Sequence, residues 1–316
     1  MALQPVLTLE ALRALDAIDR KGSFAAAAES LYKVPSALSY TIARLESDLG
    51  VQLFDRSRQK AQLTQAGMLL LQQGRHLLLA SRQLEEAVRQ LDTGWERQLV
   101  IAVDSVVPLQ PLFSLIDQFH QLGRLTQIML TEQVMAGGWE ALQSGRADLA
   151  VGLSGEGVSG QFQLQPMAQM DFVFAVAPHH ELAQLNRVVT QQDLQQQTAI
   201  VVSDSALDLP ARDSGLYDSR RRVLVSSMQA KIAAQQAGLG VGFLPKHLIS
   251  QAIQAGSLID KACEVPRAGT MMYLGWRRQA QPGQALLWFT QQLSQYDWAA
   301  VFQSDLTKEE NIDAIG

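Results

Sequence analysis

The stretch Pro35–Gly50, PSALSYTIARLESDLG, decides how the chain reads. Proline is tolerated in the first turn of a helix, where its missing N–H would have no partner anyway, and glycine is a common stop, so a helix is predicted from Pro35 to Leu49. Ala37, Leu38, Ile42, Leu45 and Leu49 are expected to face a core. Ser36, Ser39, Tyr40 and Arg44 are left on the polar face, with Thr41 beside them.

Two helices precede it. Leu9, Leu12, Leu15 and Ile18 recur at three-residue steps, predicting an amphipathic helix capped by Thr8 and stopped near Gly22. Ser23 is then a ready N-cap for Phe24–Leu31, whose alanines let another helix approach closely. Three short helices with tight connections match helix-turn-helix geometry, in which the last helix enters the major groove. After them, Val51, Leu53 and Phe54, the basic run Asp55-Arg56-Ser57-Arg58-Gln59-Lys60 and then Ala61-Gln62-Leu63-Thr64 predict two short strands around a turn, a wing suited to phosphate contact. The candidate DNA contacts are therefore Ser23, Pro35, Ser36, Ser39, Tyr40, Thr41, Arg44, Arg56 and Arg58. Any one of them also reads as a solvated surface residue.

An ordered series of motifs carries a family resemblance. Phe24-Ala25-Ala26-Ala27-Ala28, Pro35-Ser36-Ala37-Leu38-Ser39, Leu45-Glu46, Leu49-Gly50-Val51-Gln52-Leu53-Phe54-Asp55-Arg56 and Leu63-Thr64-Gln65-Ala66-Gly67 resemble the N-terminal signature of LysR-type transcription regulators over its whole length. Val34 departs from it where the family usually has Ser or Thr, and Tyr40 where relatives often have Arg. The resemblance implies double-stranded promoter DNA as partner, assembly with itself into dimers and tetramers, RNA polymerase as a further partner, and a small-molecule effector of unknown identity.

Beyond the wing, Leu70, Leu77, Leu84 and Leu91 are spaced by seven, which predicts one continuous helix from Thr64 to about Thr93 with a stripe seeking a second copy. Packing against its own domains is the competing reading. Gly74, at mid-helix, reads as a mild weakness of about 1 kcal/mol against alanine.

From Gln98 onward short apolar runs alternate with helical patterns: 98–103, 112–122, 128–130, 139–144 and 149–152, then 172–177, 199–202, 223–226, 228–236 and 241–244, then 271–276 and 282–293. Such alternation predicts a mainly parallel α/β sheet. The fold class is α/β: an N-terminal winged helix-turn-helix (1–64), a long linker helix (65–94) and a C-terminal two-lobed, Rossmann-like effector domain (97–316) resembling periplasmic binding proteins. Lobe I is expected at 97–168 and 270–300, lobe II at 169–269. Ligands of open α/β sheets sit at the carboxyl ends of strands, so Asp104, Ser105, Thr131, Glu132, Ser203, Asp204 and Phe243 are the candidate effector contacts. With Asp104 and Asp204 both ionised in the cleft, a neutral, phenolic or amine-bearing effector is expected. The alternative is that one aspartate caps a helix and the other faces water.

Composition frames this reading. The 316 residues exceed what one core usually organises, and 47% apolar with 18% charged residues is ordinary for a soluble globular protein. Residues 1–64 carry 8 Lys/Arg against 7 Asp/Glu, so DNA contact must come from a placed patch rather than bulk charge. The single cysteine, Cys263, cannot form an internal disulfide, and the start MALQPVLTLEAL has no secretory pattern, so a cytoplasmic location and no membrane partner are expected. No GxSxG, HExxH, P-loop or CxxC pattern appears, and His76, His120, His179, His180 and His247 are scattered. An enzyme, a metal site and a cofactor are accordingly not expected. A stand-alone solute receptor would share the C-terminal fold but not the DNA-binding region.

Overall fold

A computed structural model describes residues 6–55, 62–155, 160–207, 209–210, 212, 219, 221–265, 267–279 and 281–303. The chain divides into two compact units, Met1–Thr93 and Gly94–Gly316.

In the first unit, α1 (Leu9–Lys21) begins where the Thr8 hydroxyl accepts from Ala11 N–H, and it ends at Gly22 in the left-handed region. The Ser23 hydroxyl caps α2 (Phe24–Ser30) by accepting from Ala26 N–H. α3 (Pro35–Leu49) follows, with Pro35 in its first turn and no side-chain cap from Val34. β1 (Phe54–Asp55) and β2 (Gln62–Leu63) pair antiparallel, and α4 (Gln65–Thr93) is continuous through 29 residues. Leu15, Ile18, Ala27, Ala28, Leu38, Ile42, Leu45, Leu53 and Phe54 form one apolar core.

Two expectations are corrected here. Ala37 and Leu49 are exposed rather than core-facing, and the buried face of α3 carries Glu46 instead. Its carboxylate accepts from the N–H groups of Leu53 (2.7 Å) and Phe54 (3.1 Å), so a charged side chain ties the end of α3 to the first wing strand. Gly74, expected as a mild weakness, also faces a close neighbour. A Cβ there would lie 2.7 Å from Cδ2 of Leu12, where α1 crosses α4, and one at Gly67 would lie 2.2 Å from the Leu53 carbonyl oxygen. Along α4, Leu77, Leu84 and Val88 remain exposed, while the side chain of Leu91 lies outside the described residues.

The second unit starts with β3 (Gln98–Asp104), α5 (Gln110–Gln121), β4 (Gln127–Gln133), α6 (Ala136–Gln143), β5 (Leu149–Ser154) and β6 (Phe162–Met170). After Asp171 come β7 (Phe172–Val176), a 3-10 turn (Glu181–Gln184), α7 (Gln191–Gln196), β8 (Thr198–Val202), β9 (Arg221–Val225), α8 (Met228–Gln236), β10 (Gly242–Pro245), α9 (Lys246–Gln254) and β11 (Ile259–Asp260). β12 (Thr270–Arg277), α10 (Gln284–Gln295) and α11 (Trp298–Gln303) complete it.

The larger sheet has the order β4-β3-β5-β12-β6. β3 is parallel to β4 and β5, but β12 is antiparallel to both of its neighbours. β6 therefore runs with β4, β3 and β5, and the sheet is mainly parallel as expected; the one reversed strand is β12, which returns from the second lobe and inserts between β5 and β6. The second lobe carries an antiparallel sheet β10-β7-β11 and a parallel pair β8-β9. Ala168, near which the crossing was expected, lies inside β6, and the strand break falls at Asp171.

Candidate functional site

Ser36, Ser39, Tyr40 and Arg44 are all exposed on α3, opposite the buried Leu38, Ile42 and Leu45. A helix anchored by one face presents its other face as a rigid surface, which is what groove recognition requires. Tyr40 is 67% exposed, so its ring stands clear of the core of its own unit. Arg44 Nε lies 3.7 Å from Asp48 Oδ2, an exposed pair that DNA phosphate can replace at little cost. The Thr41 hydroxyl donates back to the Ala37 carbonyl, and the hydroxyl of Ser23 is used in capping α2. Pro35 is exposed in the first turn. Arg56 and Arg58 lie outside the described residues.

In the second unit, the expected effector residues separate. Asp104, at the end of β3, and Asp204, just after β8, meet at the amino end of α6. Asp104 Oδ2 accepts from Met135 N–H (3.0 Å) and its Oδ1 from Val106 N–H (3.0 Å). Asp204 Oδ2 accepts from Ala136 N–H (3.2 Å) and from Arg212 N–H (2.8 Å). The alternative reading of these aspartates is thus half met, and in an unforeseen form: both cap a helix, and it is the same helix. Burial raises the Asp104 pKa to about 7, the two N–H bonds pull it down, and the Asp204 and Glu132 carboxylates push it up again.

Ser105 is buried, and its hydroxyl has no hydrogen-bond partner among the described residues. Its neighbour Val106 offers a carbonyl oxygen 2.9 Å from Nε2 of His247, which comes from α9 of the second lobe. His247 Nδ1 is also buried without a partner among the described residues, and burial lowers the pKa of the ring. Two orphaned polar atoms therefore flank one of the points where the lobes touch. Thr131 and Ser203 are half-buried, and Glu132 is exposed on β4. Phe243 is not with them: it packs edge-to-face on Phe174 (5.4 Å) inside the second lobe's apolar cluster.

Sequence reasoning missed Ser205, Glu140 and His247. Ser205 accepts from Val134 N–H at 2.9 Å, and Glu140 accepts from the N–H groups of Leu207 and Leu209. The one available signal was Gly137-Gly138 after Met135: a Cβ at 137 would lie 1.8 Å from Oγ of Ser205. Met135 itself has φ 50°, a strained conformation for a residue with a side chain.

Among the described residues no group of three or more His, Cys, Asp or Glu is placed to hold a metal ion, and no helix is long and apolar enough to cross a membrane.

Residues 9–68 match the family described as bacterial regulatory helix-turn-helix protein, lysR family, and residues 92–298 match the LysR substrate binding domain. The HTH-type transcriptional regulator YeeY of Escherichia coli K12 is 40% identical over 272 residues, 86% of this chain and 88% of that one. CbnR in complex with its target DNA has the same fold at 20% identity (TM-score 0.57; 91% of this chain, 99% of that one). LysG of Corynebacterium glutamicum, solved with bound effector Arg, is similar over 91% of this chain and 97% of its own, at 22% identity and TM-score 0.50.

Proposed function

The chain belongs to the LysR family, DNA-binding transcriptional regulators with a C-terminal effector-binding domain, and on that premise we propose that α3 reads the operator through Ser36, Ser39 and Tyr40. In this reading Ser23, Pro35, Thr41 and Arg44 meet sugar and phosphate, with Arg56 and Arg58 of the wing beside them. The observation that carries it is a helix with one face built into a core and the other face polar and exposed. Groove-facing side chains near a helix N-terminus reach base edges, whereas flanking hydroxyls and cations hold the backbone.

The effector is read as a small molecule bound between the lobes, near Ser105, Thr131, Ser203 and His247. Buried polar atoms are nearly always paired in native proteins, and the orphaned Ser105 Oγ and His247 Nδ1 favour a ligand there that offers hydrogen bonds. Asp104 and Asp204 act on the helix end rather than as direct ligand contacts. We read 1–64 as the DNA-binding domain, 65–94 as the linker helix and 97–316 as the effector domain. The chain acts by binding, with no catalytic step, and works in the cytoplasm, where promoter DNA and RNA polymerase are. The exposed Leu77 and Leu84 of α4 support pairing with a second copy, and tetramers follow by pairing of dimers.

Titration of the full-length protein against duplexes from the upstream region of a neighbouring gene tests this. Tight binding with a steep decline as salt rises is expected. A folded protein that ignores such duplexes even at low ionic strength would overturn it.

A further inference from the structure

The segment Asp204–Leu207 of the second lobe lies across the amino end of α6 in the first. Three successive N–H groups open α6, and each is taken by a side chain: Val134 by Ser205 Oγ, Met135 by Asp104 and Ala136 by Asp204. Two of these three acceptors come from the second lobe. The contact runs both ways, since Ser205 N–H donates to the Val134 carbonyl and its hydroxyl lies 3.1 Å from Gln133 Oε1. Farther along, Leu207 N–H donates to Glu140 at 2.6 Å, Leu209 N–H to the same oxygen at 3.3 Å, and the Arg212 guanidinium to the Ser154 carbonyl.

The first lobe is shaped to receive this segment. Only glycine at 137 leaves room for Ser205, and Met135 is held at positive φ while its N–H is turned toward Asp104. Strain of that kind persists where surrounding contacts over-determine the backbone. Glu140 is buried within α6 and is held between Arg146 of its own lobe and the incoming N–H groups.

We propose that Asp204–Leu207 is an interlobe strap: with its own carboxylate and hydroxyl it fills the helix end that would otherwise be open to an anionic or hydroxylated ligand, and it holds the two lobes together. A ligand reading the same N–H groups must displace the strap, so effector binding and strap release are one equilibrium. Such a ligand takes the N–H groups of Val134 and Ala136 that Ser205 and Asp204 give up, while Asp104 of the first lobe keeps the Met135 N–H. The inference rests on the preceding reading only for the effector that displaces the strap; the strap itself is a property of the second unit.

Amide exchange of the full-length protein, followed by mass spectrometry of peptides covering 133–137 and 203–207, tests it. Asp204→Asn and Ser205→Ala should speed exchange of both peptides together, by about tenfold or more, and Gly137→Ala should do the same with every strap residue intact. The β3 peptide 98–104 should keep its protection in all three variants, which separates strap release from unfolding. Acceleration confined to the peptide that carries the substitution, or unchanged exchange in Gly137→Ala, would overturn the proposal. No DNA enters the measurement, so its failure and the failure of DNA binding are distinguishable.

Discussion

Asp104 and Asp204, carried by different lobes, cap one helix: their Oδ2 atoms accept from the adjacent N–H groups of Met135 and Ala136. The arrangement has a pH signature. Asp104 titrates near 3.8 in an unfolded chain, while burial and the neighbouring carboxylates raise it to about 7 in the folded one. Between those values the native state holds a proton that the unfolded chain has lost. The stability contributed by this residue is thus full below the lower value and falls as pH rises through the window. In Asp104→Asn the group no longer titrates. The stability difference, native protein minus variant, should therefore decline from about pH 4 to about pH 7 in denaturant midpoints, and a difference that stays flat or rises would show the assignment wrong.

A second prediction concerns Glu46. Its carboxylate serves two buried N–H groups at the start of the wing. Glu46→Ala leaves both unpaired, at about 1–3 kcal/mol each, whereas Glu46→Gln keeps an acceptor in place. Thermal unfolding should rank the variants native, then Gln, then Ala. Equal midpoints for all three would mean that water replaces the carboxylate.

Glycine positions in α4 give a third. Alanine normally stabilises a helix interior by about 1 kcal/mol over glycine, but overpacking costs about 1–3 kcal/mol. At Gly67 the obstacle is the Leu53 backbone carbonyl, which cannot move without shifting the wing; at Gly74 it is the end of the Leu12 side chain. Gly67→Ala is expected to lower the melting temperature clearly and Gly74→Ala less. A rise in Gly67→Ala would contradict the close approach to the Leu53 carbonyl.

These cases mark what the sequence made legible. Helices α1, α2 and α3 follow from local signals, Thr8, Gly22, Ser23, Pro35 and Gly50, each acting within a few residues. Glu46 and Gly74 did not, because their roles depend on partners that only folding supplies: the wing's N–H groups and Leu12. In the second unit, alternating apolar runs announced an α/β sheet, yet not that β12 would enter it antiparallel after a long excursion. β6 (FQLQPMAQM) went unread, since its polar residues and Pro166 break the apolar pattern at an edge strand. At the interlobe site strand ends pointed to Asp104 and Asp204, but Ser205 and His247 meet their partners only across lobes. Phe243 sits in the second lobe's apolar cluster, which its place at a strand end does not disclose, because a strand's alternate faces look alike until the core is known.

On DNA, Tyr40 and Arg44 should part company. Both are exposed, so alanine at either should leave the melting temperature unchanged. Tyr40→Ala should alter preference among operator variants, by about 1–3 kcal/mol at the base pairs it reads. Arg44→Ala should weaken all duplexes alike and reduce the salt slope by about 1. If Tyr40→Ala weakens every sequence equally, that side chain touches backbone rather than bases.

The last prediction follows from α4. Leu77 is 51% exposed and Leu84 67%, seven residues apart on one stripe. Burying a leucine stabilises by about 1.5–3 kcal/mol, so two such side chains on each of two paired helices favour association strongly. The double variant Leu77→Asp/Leu84→Asp places a charge at each contact and should sediment as a monomer. The first unit should still fold, because its core draws on Leu71 and residues before it and on neither Leu77 nor Leu84. Monomers engage one half-site at a time, so affinity for a two-half-site duplex should fall to that for a single half-site, since the second contact is no longer intramolecular. A variant that sediments as the native protein does would place the subunit contact elsewhere on the chain.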